Sequence, residues 1–387
     1  MRILHITSSF YPYLGGMELA VEHICHNQSK MGHEVLVLTS NHYCEDQLFK
    51  KTENYNGYKI RRVKSKLFLK GYGYAPDFKK ELLKTLKEFS PDIVHVHCYR
   101  RYITDKAAKI LEKKNVKTIF TAHGGWIEDT IIKRIYSRLR SKQIRKFDYF
   151  HILTPQEKQF LINKGISKNI FQIPLGISVS SDKQEAEKIL KRLKKENKTI
   201  KRPILIFVGR IHHTKRLKVV LEALINLNAF LIASTTPTDS EYELEIQELL
   251  KEKNMQSKLL ILPPMEQKRL FNFFEFSDLF VMPSRYESFC LSCLEAAALG
   301  MPVVSSDTGI APQIVVNGEN GYLLDCDADG KDWELSLKKA LENLKTLKEN
   351  ANKKAKKIKK EYSWGNTATK LVEVYNLMRK EQERQSK

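Results

Sequence analysis

Two α/β units in tandem, each a parallel sheet with helices packed on it, are what this sequence predicts, and three observations predict them. Short apolar runs such as RILHI (2–6), HEVLVLTS (33–40), PILIFV (203–208) and LFVM (279–282) alternate with longer amphipathic stretches, the pattern of βαβ units rather than hairpins. At 387 residues the chain is longer than one hydrophobic core usually serves, so two domains are expected. A very charged tract at 178–202 separates the two series of strands. The expected divisions are therefore 1–177, a linker with a helix at 178–202, a second unit at 203–360, and a C-terminal helix at 361–387 packing back across the boundary.

In the first unit, residues 2–8 form a strand that feeds the loop SSFYPYLGGMELA (8–20) and a helix over about 17–31. Gly15 and Gly16 stand at that turn, where the missing Cβ lets backbone amides approach a phosphate or a sugar, unless they only turn the chain. No GxGxxG is present and no acid follows at the dinucleotide spacing, which argues against NAD. Residues 41–75 are a charged excursion with one edge-type strand in GYKIRRVKSK, and a helix follows at 77–89. The strand PDIVHVHC (91–98) puts His95 and His97 on one face, but without a set of Asp, Glu or Cys partners near them no metal site is assigned. After a helix at 104–114, VKTIFTAHGG runs as a strand into Thr121, His123, Gly124 and Gly125. His123 lies just past a strand end, where ligands collect in open α/β sheets, and is a candidate catalytic residue; an ordinary loop histidine is the alternative.

A helix is expected at 126–147, with Ile127, Ile131, Ile135 and Leu139 along one stripe and seven Lys or Arg against two acids between 126 and 146. Such a helix either lies reversibly on an anionic membrane or closes the core with its cations in water. DYFHILTPQEKQFLINKG (148–165) gives strand, turn and helix, and NIFQIPLGI (169–177) a closing strand.

In the second unit, GRIHHTK (209–215) joins a strand to a helix. Arg210 and Lys215 beside the free N–H groups of a helix start make an anion site suited to a diphosphate; plain surface cations are the alternative. The segment PSRYESFCLSCLEAAALGMPVV (283–304) follows a buried strand, so Glu287, Ser288, Phe289, Cys290 and Leu291 sit at its carboxyl end, in or beside the first turn of a helix expected at 289–299. Glu295 is a lone acid in an alanine-rich helix. It is either a carboxylate accepting both hydroxyls of a ribose, or a solvated or ion-paired structural acid. A helix at 331–350 and a basic helical tail at 351–380 follow, the tail carrying Trp364, Leu371, Val374 and Tyr375 as an apolar set that must dock.

The formal charge is +21, which implies an anionic partner without choosing among nucleotide, nucleic acid and lipid surface; lysine richness for solubility is the alternative. No apolar run is long enough to span a membrane. The six cysteines are scattered, and Cys290 with Cys293 lacks a second pair for zinc, so buried thiols in a reducing cytoplasm are expected.

Taken together the motifs resemble the retaining nucleotide-sugar glycosyltransferases of the GT4-type family, glycosyl transferases group 1. Their GT-B fold is two Rossmann-like domains facing across a deep interdomain cleft, with a C-terminal helix docking back on the N-terminal domain. The likeness spans nearly the whole chain: GG at 15–16, TAHG at 121–124, Arg210 with Lys215, the segment 283–304, and NG–NG at 317–321. It implies hexosyl transfer from a UDP- or GDP-linked sugar to a glycan, glycolipid or lipid-carrier acceptor, with retention and with no metal or other cofactor, at the cytoplasmic face of a membrane or in the cytoplasm. It also implies that Glu287 contacts hydroxyls of the transferred sugar, Glu295 the ribose, Arg210 and Lys215 the diphosphate, His123 the sugar-reaction centre, and Gly16 the phosphate and acceptor. Cys290, Ile310, Gln313 and Leu175 depart from the family pattern, where two glycines, a glutamate and an asparagine are usual, and Cys290, Ser288 and Ile310 bear on the sugar pocket. A sugar phosphorylase of the same fold, a basic nucleic-acid-binding module and a catalytically silent relative are the competing classes. Release of sugar phosphate from a disaccharide would mark the first, and steeply salt-dependent binding of DNA or RNA the second.

Overall fold

The computed structural model describes residues 1–13, 15–41, 50–68, 72–124, 142–236 and 238–385. Gly125 and most of the expected basic helix, 126–141, lie outside the described residues. The chain divides into two units, Met1–Gly176 with Ser363–Lys387, and Ile177–Tyr362. Each is a Rossmann-like α/β layer structure, and the C-terminal helix belongs to the first, consistent with the GT-B fold.

The strands of the first unit are β1 (Arg2–Ile6), β2 (Glu34–Ser40), β3 (Thr52–Tyr55), β4 (Tyr58–Val63), β5 (Lys66–Phe68), β6 (Tyr72–Tyr74), β7 (Ile93–His97), β8 (Lys117–Thr121), β9 (Tyr149–Ile152) and β10 (Ile170–Gln172). Eight of them form one sheet in the order β10-β9-β8-β7-β1-β2-β4-β3, while β5 and β6 pair separately. The central strands are buried on both faces because helices cover both: Ile3, Leu4, Ile6, Val94 and Val96 have no exposure, and neither have His5 of β1 and His95 and His97 of β7. The strand in GYKIRRV is not the edge, however. β4 lies between β2 and β3, and the Asn56–Gly57 turn, with both residues at positive φ, folds β3 back antiparallel against it. Arg62 is consequently buried, and its charge is paired with Glu53 at 2.5 Å while it donates to the Tyr11 carbonyl at 2.7 Å. β10 is also shorter than the expected closing strand.

The C-terminal helix, Trp364–Gln385, packs on the helix Gly16–Lys30. Leu371, Tyr375 and Met378 are fully buried, and the Trp364 ring stacks on His23 with centroids 4.7 Å apart. The apolar set of the tail docks because a 22-residue helix with those side chains exposed would leave a large apolar stripe in water.

The second unit holds β11 (Ile204–Val208), β12 (Phe230–Ser234), β13 (Leu259–Leu262), β14 (Leu279–Met282), β15 (Val303–Ser306) and β16 (Gly321–Leu324), all parallel, in the order β13-β12-β11-β14-β15-β16. The tract at 178–202 contributes the helix Lys183–Glu196 to this unit. The helix expected at 331–350 is two, Gly330–Glu342 and Leu344–Glu361, broken at Asn343. A capping box between Asp329 and Asp332 starts the first of them. Among the described residues no helix is long and apolar enough to cross a membrane.

Candidate active site

β11 and β14 are neighbours, so the loops that leave their carboxyl ends meet. The first makes a single turn, His213–Lys215, before the helix Leu217–Leu224; the second carries Ser284 and Glu287. Lys215 Nζ donates to Glu287 Oε1 at 2.5 Å, and Ser284 Oγ donates to the same oxygen at 2.8 Å. The Glu287 backbone N–H donates to Thr308 Oγ1 at 3.0 Å, and the Arg285 N–H to the Thr214 carbonyl at 2.9 Å. Both charges are largely out of water, so each is held by its partner, and the carboxylate also by the Ser284 hydroxyl. Gly309 closes the back of this loop at φ +63, where a Cβ would sit 2.7 Å from the Phe289 carbonyl oxygen and 2.9 Å from Glu287 Cβ.

Arg210 is exposed and pairs with no acid among the described residues, so the two cations are not equivalent. Ser288 is half-buried, whereas Phe289 is buried and its carbonyl accepts from the Ile310 N–H at 2.8 Å. The helix begins at Leu291 rather than at 289, because Cys290 occupies its N-cap in the left-handed region at φ 70. Glu295 is 5% exposed among Leu294, Ala296 and Ala297, which corrects the solvated-face alternative. The Gln267 amide donates to it, and no cation pairs with it among the described residues. Burial pushes its carboxyl up to about 7, with the Gln267 hydrogen bond opposing.

Gly15, Gly16 and His123 belong to the first unit. A Cβ on Gly15 would lie 2.3 Å from a Glu18 carboxylate oxygen, whereas one on Gly16 would meet nothing within 4 Å. His123 stands after β8 at φ 50, its Nε2 bonded to His97 Nδ1 at 3.0 Å, and burial pushes its imidazole down to about 3.

Sequence reasoning missed three participants. Glu18, in the first turn after Gly16, is buried, takes a hydrogen bond from the Ser9 hydroxyl, and has its carboxyl raised by burial; an acid two residues after a glycine pair at a helix start was the available signal. Gln267 and Thr308 carry no motif. A cavity of about 360 Å³ lined by Leu262, Pro263, Pro264, Met265, Glu266 and Arg269 lies just past β13, again at a strand carboxyl end. A larger cavity of about 760 Å³ in the first unit, bordered by Arg2, Asp92 and Lys114, sits where β1 and β7 begin, away from this chemistry. Two sets of three ligands lie close enough to share a metal ion among the described residues, His5 with His95 and His97, and His212 with His213 and Asp239.

The family described as Glycosyltransferase Family 4 matches residues 14–181, and the family described as Glycosyl transferases group 1 matches residues 189–358. An uncharacterized 41.2 kDa protein in the cps region of Klebsiella pneumoniae is 26% identical over 347 residues, covering 87% of this chain and 89% of its own. An uncharacterized glycosyltransferase of Methanocaldococcus jannaschii is 24% identical, covering 97% of this chain and 98% of its own. Among solved structures, sucrose-phosphate synthase from Thermosynechococcus elongatus matches with a TM-score of 0.80 at 18% identity, over 97% of this chain and 98% of that one. Anabaena HepE in complex with UDP matches with a TM-score of 0.79 at 15% identity, over 97% and 100%. With two glycosyltransferase families matched in tandem on two Rossmann-like units, the protein belongs to the superfamily of glycosyltransferases with the GT-B fold.

Proposed function

We propose that the protein moves a hexose from a UDP- or GDP-linked donor to a glycan, glycolipid or lipid-carrier acceptor, with retention of anomeric configuration and without a metal. The observation that carries this is the Lys215–Glu287 pair steadied by Ser284. It sets a cation for a leaving diphosphate beside a carboxylate for sugar hydroxyls. As the pyrophosphate leaves the anomeric carbon, negative charge grows on it, and Lys215 with exposed Arg210 stabilises that charge in the way a metal otherwise would. Glu287 orients the sugar, Glu295 accepts the ribose hydroxyls, and the cavity past β13 takes the base. The acceptor attacks on the face the phosphate leaves, the phosphate drawing the acceptor's proton, with His123 and the Gly15–Gly16 loop serving the sugar and acceptor. Anabaena HepE was solved with UDP and with UDP-glucose, which supports UDP as the first donor to try. We place the protein in the cytoplasm, with reversible contact to anionic membrane through residues 126–146.

Labelled UDP- and GDP-sugars incubated with lipid and glycan extracts test this. Labelled product with the donor's anomeric configuration, undiminished by EDTA, is the expected result. Activity lost on chelation would refute the metal-free step, and no nucleoside diphosphate release from any donor would refute the transfer. Vesicle sedimentation of a variant with Arg134, Arg138, Lys142 and Arg145 changed to Gln tests the membrane contact, which falls if binding is unchanged.

A further inference from the structure

Five histidines of the first unit lie on one unbroken hydrogen-bonded path. His151 Nε2 meets the Ile173 carbonyl at 2.7 Å, and His151 Nδ1 meets Thr121 Oγ1 at 2.8 Å. Thr121 Oγ1 meets His95 Nε2, and His95 Nδ1 meets the Tyr375 hydroxyl, both at 2.7 Å. Gln28 Nε2 reaches that hydroxyl at 3.4 Å, while Gln28 Oε1 meets His5 Nε2 at 2.8 Å. His5 Nδ1 meets His97 Nε2 at 2.9 Å, and His97 Nδ1 meets His123 Nε2 at 3.0 Å. Burial pushes His5 and His151 down to about 4 and His123 to about 3, with His95 and His97 lower than usual for the same cause. At neutral pH each ring therefore carries one N–H.

One end of the path has a fixed polarity, and the rest follows. A backbone carbonyl only accepts, so His151 is protonated on Nε2 and its Nδ1 must receive the Thr121 hydroxyl proton. Thr121 has one proton, so its oxygen accepts from His95 Nε2–H, and His95 Nδ1 takes the Tyr375 O–H. The Tyr375 oxygen is then an acceptor and turns the NH₂ of Gln28 toward itself, which turns the Gln28 carbonyl toward His5. His5 and His97 are in consequence protonated on Nε2, and so is His123. Its Nδ1 is left as a lone pair with no partner among the described residues.

We propose that the Ile173 carbonyl, acting through Tyr375 of the C-terminal helix and through Gln28, fixes His123 in the Nε2-protonated form, so that its Nδ1 is a hydrogen-bond acceptor. Tyr375 and Gln28 are thus positioning residues for a histidine they do not touch, a role that rests on placing His123 at the sugar-transfer site. Without the Tyr375 hydroxyl, the Gln28 amide is free to rotate, and rotation reverses every bond from His5 to His123. His5, His95 and His97 do not need a metal to explain their proximity, because all six of their ring nitrogens are already paired with protein groups.

Long-range ¹H–¹⁵N correlation on the full chain labelled in histidine reads each tautomer directly. The wild type is expected to show all five rings protonated on Nε2 at neutral pH. In Tyr375→Phe, a second population protonated on Nδ1 is expected at His5, His97 and His123, while His95 and His151 keep their form; kcat is expected to fall on the order of fivefold, the weight of one hydrogen bond. Gln28→Met provides the same break from the other side should the Phe variant unfold. A wild-type His123 protonated on Nδ1, or a single Nε2 form at all five rings in both variants, overturns the proposal. Tautomers that shift as stated with unchanged kcat leave the relay standing and remove His123 from the transfer step.

Discussion

Lys215 and Glu287, 72 residues apart in sequence, meet in an ion pair of 2.5 Å in the second unit. Lys215 and Ser284 both engage Oε1 of the carboxylate, and Oε2 has no hydrogen-bond partner among the described residues. The protein's own groups therefore hold one oxygen of the carboxylate within the same unit. Preorganisation of this kind spares the site the cost of turning dipoles during the reaction.

Lys215→Met should lower kcat about 10²-fold, the scale of losing a charge contact made in the transition state. It should also destabilise the fold by roughly 1–3 kcal/mol, because a largely buried carboxylate loses its cation. Adding Glu287→Gln should restore most of that stability and none of the activity. Urea unfolding and steady-state kinetics on the two variants check both halves, and equal stability of single and double variants would show the pair to be uncoupled.

Glu295 gives a pH dependence of known sign. Burial raises its carboxyl from 4.5 to about 7, so the folded chain holds a proton that the unfolded chain releases. Its contribution to stability is complete below about 4.5 and is lost as pH rises through about 7. Ribose hydroxyls need the carboxylate as acceptor, so nucleotide binding should release a proton near neutrality and tighten as pH rises through this range. Calorimetry of UDP or GDP in buffers of different ionisation enthalpy measures the proton directly, and Glu295→Gln should abolish its release.

Much of this arrangement was legible in the chain because buried parallel strands are continuous apolar runs, as in RILHI and PILIFV. The position of β4 was obscured by charge. Arg61 and Arg62 look like an exposed edge until Glu53, which the Asn56–Gly57 turn sets opposite Ile60, reaches the buried Arg62 and neutralises it. The break at Asn343 was hidden because apolar spacing continues through it. At the site, Lys215 and Glu287 were each marked by their places at strand ends, but their pairing depends on β11 lying beside β14, a fact of strand order. The same holds for His5, which joins His95 and His97 only because β1 pairs with β7 in the register His5 to His95.

Cys290 stands at φ 70, in a conformation that costs a residue with a Cβ roughly 1–2 kcal/mol and costs glycine almost nothing. Cys290→Ala keeps the Cβ and Cys290→Gly removes it, so comparing the two isolates the backbone term from loss of the thiol. The Gly variant should be the more stable by about 1 kcal/mol in chemical unfolding. An Ala variant as stable as the Gly variant would show that the helix start relaxes out of the left-handed region.

Gly309 presents the opposite case, since the backbone there is left-handed and crowded as well. At φ +63 an alanine Cβ would press on the Phe289 carbonyl oxygen and on Glu287 Cβ, at 2.7 and 2.9 Å. Backbone oxygen cannot swing aside like the end of a long side chain, so the loop carrying Glu287 must move. Gly309→Ala should therefore cost about 2–4 kcal/mol, combining left-handed strain with overpacking. It should also weaken the Lys215–Glu287 pair without altering either residue. Activity should fall with the loop's displacement, while the histidine relay in the other unit keeps its tautomers. Chemical unfolding gives the first quantity, donor-transfer kinetics the second, and the histidine nitrogen spectrum the control. Full activity at unchanged stability would mean that the loop tolerates a Cβ, and that the glycine is not what seats Glu287 beside Lys215.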